Sequence, residues 1–165
     1  MKKLVSALLL IMCCLGCKGI KVGEKEGIVS SIDTKRDFMN FNTIQKNHSS
    51  YNEKTLTALP SWPEKYKLHG DLRQWEKVVY KGEELVGAIW MSKPGKLKVD
   101  GYPYDQFVLV LDGKVKLQPE GENEKIYFPG DVFFVPKNYA GTWDMPTDYK
   151  ELIVVERKAW DAFGE

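Results

Sequence analysis

Six side chains in the second half of the chain have types and spacings that could do chemistry together: Trp90, Asp100, Tyr102, Tyr104, Gln106 and Trp143. Asp100, Tyr102, Tyr104 and Gln106 are two residues apart. A regular strand would send all four to one face, with Val108 and Val110 following. Aromatic surfaces with a few convergent polar groups are the usual lining of a small-molecule site. The two tryptophans suit the core and rim of a compact barrel equally well, and Tyr102-Pro103-Tyr104 also reads as a rim loop. Acid–base work needs a titratable group poised near working pH. Asp100, Asp105 and Tyr104 are candidates and Asp144 lies nearby, although carboxylates beside turns are usually solvated turn-formers. Nucleophilic catalysis has little to use. The two histidines, His48 and His69, are expected to lie outside the barrel strands, so no Ser-His-Asp set can assemble there.

The elements that must position these groups are strands. From Glu76 the chain reads as short apolar runs separated by turn signals. Lys77–Lys81 and Glu84–Met91 flank Gly82-Glu83 as a hairpin, and Lys96–Val99 alternates. Gln106–Leu111 is apolar on both faces from Phe107 on, the mark of a central strand. Asp112-Gly113 predicts a type I′ hairpin turn into Lys114–Gln118. Lys125–Phe128 is followed by Pro129-Gly130, which suits a type II turn, with Asp131 tying that turn. Val132–Val135 reads as a second doubly buried run and Glu151–Glu156 as a final strand. Seven or so strands without a long helix predict an all-β sandwich or barrel.

The order of these landmarks resembles the cupin superfamily, whose fold is a small double-stranded β-helix, or jelly-roll barrel. It looks most like the single-domain cupins grouped with ureidoglycine aminohydrolase and ethanolamine-utilisation proteins. The resemblance rests on Gly87-Ala88-Ile89-Trp90, Pro94-Gly95, Gly113, Gly130-Asp131, Pro136 and Gly141-Thr142-Trp143, and covers about residues 76–156. It implies a metal held by a His-x-His pair and a Glu in the first motif and a His in the second. Anchored on Gly113, the Glu position is Gln106, and the His positions are Asp100 and Tyr102, or Val99 and Gly101 in the longer spacing. Anchored on Gly95, the His positions are Gly101 and Pro103. From Gly130 the second motif gives Pro136 and Asn138, then Gly141 for its His and Met145 for its Asn. Oxygen donors with a single carboxylate suit a transition metal poorly. The expectation is a barrel with no resident metal and no cofactor, whose interior is a pocket of Trp90, Asp100, Tyr102, Tyr104, Gln106 and Trp143. The resemblance also implies pairing of two copies through sheet edges.

The N-terminal part concerns address. Lys2 and Lys3 precede an apolar run, Leu4 to Leu15, too short to span a bilayer comfortably. A basic start before such a run reads as a secretory signal. It ends Cys14-Leu15-Gly16-Cys17, which resembles a bacterial lipobox, with Cys14 where Leu is usual. All three cysteines lie in this leader, so processing before Cys17 leaves one thiol, and acylation of Cys17 accounts for it. This organisation predicts a signal peptide over 1–16, a lipidated tether and extended arm over 17–50, an arm packing on the barrel over 51–75, and the barrel over 76–165. Leu59-Pro60-Ser61-Trp62-Pro63 is held extended by its prolines and is expected to lay Trp62 across the barrel's outside. A short helical turn is expected within Leu68–Trp75.

With 24 basic against 23 acidic residues the chain has no field for nucleic acid. Loss of the leader shifts the formal charge from +1 to −1. The reading is an exported protein anchored through Cys17 to a bacterial membrane, facing the periplasm, whose barrel binds a small organic molecule such as a sugar or small acid. Two alternatives stay open: an enzyme of the aminohydrolase or isomerase kind, and a structural lipoprotein that docks another envelope protein.

Overall fold

Two antiparallel sheets, built from the short apolar runs, make up almost all of the structure. The computed structural model describes residues 48–163; the readings of the leader, of Cys17 and of the tether as far as Asn47 fall outside them. The strands are β1 (Thr57–Ala58), β2 (Lys67–Gly70), β3 (Gln74–Lys81), β4 (Leu85–Ser92), β5 (Gly95–Asp100), β6 (Gln106–Asp112), β7 (Val115–Pro119), β8 (Lys125–Tyr127), β9 (Val132–Val135), β10 (Ala140–Met145) and β11 (Tyr149–Glu156). Among the described residues a single α-helix, α1 (Arg157–Phe163), follows the last strand. One sheet has the order β1-β3-β4-β11-β6-β9 and the other β2-β5-β10-β7-β8. Crossing back and forth between the sheets makes the chain a jelly roll.

Strand alternation sends Val86, Ala88, Val108, Val110, Val155, Leu97, Leu117 and Met145 between the sheets, where they form the core. Full burial of such a side chain contributes roughly 1.5–3 kcal/mol. The opposite parity of the six-stranded sheet is also covered over β3, β4 and β6. Trp75, Ile89, Met91 and Leu111 pack there against Leu56 and Tyr51, so the segment before β1 lies on the outside of this sheet as a second apolar layer. Lys93 reaches this segment too, pairing with Glu53 at 2.7 Å and Asp148 at 2.9 Å.

Four expectations change. Asp112-Gly113 is not a hairpin turn, because β6 and β7 belong to different sheets. The chain crosses over there, and a Cβ on Gly113 would meet the Asp148 carbonyl oxygen at 2.0 Å. Val132–Val135 is buried on one face only. It forms the edge strand β9, with Phe134 75% exposed. Leu68–Trp75 holds no helix; a 3-10 turn at Glu64–Tyr66 precedes β2. Trp62 packs against the inner core instead of lying on the outside. The turn at Pro129-Gly130 closes through the Asp131 amide donating to the Phe128 carbonyl, and the Asp131 carboxylate accepts the Phe128 amide at 2.8 Å.

Candidate functional site

The barrel interior is not filled. A cavity of about 460 Å³ lies between the sheets, and Trp90, Tyr102, Tyr104, Gln106 and Trp143 all line it. Asp100 does not. Gly101 and Pro103 break the strand register on which its assignment depended, and Asp100 is exposed beside Lys98 and Gly141 in a separate depression of about 380 Å³. Gly141, the second motif's His position, is likewise outside the cavity. Asp105 is a loop tie, its carboxylate accepting the Lys137 amide at 2.8 Å. Asp144 takes the parity opposite to Trp143, facing away from the core, with Lys96 and Lys116 as its cross-strand partners.

Two carboxyls not singled out in the sequence take the interior positions. Glu76 on β3 and Glu151 on β11 both pair in register with Trp90 on β4 between them. Three adjacent strands thus present Glu, Trp and Glu in a row, and strand spacing puts the two outer backbones roughly 10 Å apart. Glu151 is 3% exposed. Burial pushes its carboxyl up to about 8, against the pull of the Tyr149 hydroxyl that donates to it at 2.7 Å. Burial alone pushes Glu76 up to about 7. Burial also raises the Tyr102 and Tyr104 phenols, which therefore stay protonated as hydrogen-bond donors.

The remaining polar groups are held by each other. The Trp90 indole N–H donates to Gln74 Oε1 at 3.0 Å, and Gln74 Nε2 donates to the Pro60 carbonyl at 2.7 Å. Tyr102 donates to Gln106 Oε1 at 2.5 Å, with its ring edge-on to Tyr104. The Gln74 bond fastens Leu59–Pro63 over the cavity as one wall, with Trp62 among its lining residues. From the far end of the chain α1 contributes Trp160, 3% exposed. That helix is pinned by Arg157, which bonds the Gly82 carbonyl at 2.8 Å, and by Asp161, which pairs with Lys81 at 3.0 Å. The indole N–H groups of Trp62 and Trp143 are buried with no hydrogen-bond partner, a state that native proteins rarely leave unexplained.

The donor set does not fit the metal that the resemblance implies. Among the described residues no three of His, Cys, Asp and Glu converge. The cavity offers two carboxyls with an indole between them, and His69, expected outside the barrel strands, is on β2, paired with β5 but exposed at the other sheet's edge.

Residues 81–150 match the family model for the EutQ-like cupin domain. No curated protein matches the chain. Among solved structures, a protein of unknown function from Pseudomonas syringae pv. tomato superposes with a TM-score of 0.52 at 17% identity, over 61% of this chain and 43% of that one. The EutQ protein of Clostridium difficile gives 0.48 at 16% identity, over 68% of this chain and 91% of that one. The ethanolamine utilisation protein EutQ of Salmonella typhimurium gives 0.46 at 22% identity, over 52% and 70%. The family match runs from the end of β3 to the start of β11, and with the two sheets closed as a jelly roll the described residues have a cupin-type fold.

Proposed function

We propose that this protein is a membrane-anchored cupin that binds a small organic molecule in the barrel interior without a resident metal. The observation that carries this reading is the cavity itself. Its volume is that of a small-molecule site, and its walls combine tryptophan faces with the polar groups of Gln106, Tyr102, Glu76 and Glu151. Anchoring rests on the leader and on Cys17. Thermal denaturation with sugars, ureides, small acids and amines, each with and without Mn²⁺ and Zn²⁺, tests the binding. A rise in melting temperature with an organic compound alone, lost in Gln106→Ala, supports it; a rise with metal alone sinks it. Acylation is checked by the mass of the membrane-extracted protein, which should lose its lipid in Cys17→Ser.

One observation favours the enzymatic reading as a second possibility. Glu76 is held near 7, where a carboxyl can both take and give a proton at working pH. Turnover of a bound compound that disappears in Glu76→Gln, while binding persists, would select that reading.

A further inference from the structure

We infer that the cavity's ligand is a small organic ammonium ion that also carries an oxygen acceptor. This rests on the binding reading above and narrows its chemistry. Four tryptophans, Trp62, Trp90, Trp143 and Trp160, line one space with Glu76 and Glu151. The lining holds no Lys, Arg or His among the described residues. An anionic ligand would meet two carboxyls and no cation to receive it, whereas a cation meets both of its usual partners. Indole faces attract ammonium groups most strongly of the aromatic rings, and more so when the site is dry. Trp90 stands in register with a carboxyl on each side, so one ammonium over its face can be reached from either flank.

The oxygen follows from the orphaned donors. Trp143 is 5% exposed, lines the cavity, and its indole N–H has no partner; the Trp62 N–H shares that state. Both nitrogens are shut off from the cavity as the rings stand, so a hydroxyl or carbonyl oxygen beside the ammonium would satisfy one of them as its ring turns toward the ligand. The carboxyls fit the same picture. Glu76 is faced by Trp90, Tyr102 and Tyr104, and Glu151 by Tyr149, Tyr102 and Tyr104. None of these brings a positive charge, so burial holds both carboxyls up, to about 7 and about 8. A bound cation would draw both back down and release protons.

The experiment uses the purified full-length chain, with tryptophan fluorescence and calorimetry as readouts. The probes are choline, tetramethylammonium, 4-aminobutan-1-ol, acetate as the anion, and 3,3-dimethylbutan-1-ol, which has choline's shape without its charge. The expected result is that choline or the amino alcohol binds at least tenfold more tightly than the neutral compound. Affinity should rise about tenfold from pH 6 to pH 8 as the carboxyls ionise, and buffers of different ionisation enthalpy should report proton release. Tetramethylammonium, lacking the oxygen, should bind more weakly than choline. Glu76→Gln should cut ammonium affinity at least tenfold and leave the neutral compound unaffected. Should that variant misfold, the charged-versus-neutral ratio and the proton release in the unaltered protein still decide. Equal binding of the neutral compound, tighter binding of acetate, or no binding of any of the three ammonium ions overturns the inference. If a sugar or acid binds instead, the cavity reading survives and only the cation falls; if nothing tested binds, both fall.

Discussion

The two faces of the same three strands, β3, β4 and β11, have opposite characters, and not the usual way round. Outward they present Trp75, Ile89, Met91 and Leu152, an apolar layer covered by Tyr51 and Leu56. Inward, at the cavity, they present Gln74, Glu76, Trp90 and Glu151. The stability of this sheet therefore rests in part on its outside, where the arm completes a dry layer. Its inside holds groups that cost free energy to bury, a cost expected where function is exercised.

The comparison can be broken most sharply on the outer face. Ile89 is fully buried, and Ile89→Ala should cost about 2–5 kcal/mol in chemical denaturation without altering ligand affinity. The inner face should behave in the opposite sense. Because the folded Glu151 carboxyl titrates at about 8 and an unfolded one near 4.5, the folded state holds the extra proton between those values. Stability from this group is full below the lower value and is lost as pH rises through the upper one. Glu151→Gln should therefore stabilise the protein at pH 8.5, by an amount on the order of a few kcal/mol, and change little at pH 4. A denaturation series across pH on both proteins measures the difference. A pH profile that keeps its slope in the variant would assign the effect to Glu76 or elsewhere. The smallest effect is expected at the six-stranded sheet's other edge. Phe134 lies against Phe107 but is mostly exposed, so Phe134→Ser should shift stability by no more than about 0.5 kcal/mol. If it also converts a sedimenting dimer to monomer, the edge pairing implied by the cupin resemblance gains its support.

Much of the barrel was legible in the sequence because strands with turn punctuation announce themselves locally. Tyr102, Tyr104 and Gln106 were legible through parity, and Trp90 and Trp143 through the landmarks of the resemblance. What failed was what parity cannot carry. Asp100 depended on an alternation that Gly101, at φ +81°, interrupts. Asp112-Gly113 gave a sound turn signal, but which sheet the next strand joins is a long-range choice that no dipeptide encodes. Glu151 opens a strand apolar on both faces, ELIVVE, where nothing marks which parity is inside. Glu76 looked like one more surface charge ahead of Lys77, and only Gln74 two residues earlier hints at a polar inner row. Trp62 and Trp160 come from outside the recognisable motifs, one from each end of the described chain.

The wall formed by Leu59–Pro63 has a mechanical consequence. It hangs from β1, a two-residue strand whose Thr57 pairs with Glu76 itself, and from the Leu59 amide bonded to Gln74 at 2.9 Å. Tension drawn along the chain from its N-terminal side meets the outer layer of Tyr51, Glu53 and Leu56, then this strand and these few bonds, before any long strand is loaded. Once Tyr51, Glu53 and Leu56 had left the outer face, the next element to peel would be the one that backs Glu76 and closes the cavity, so a pull from that side would act as a pull on the site.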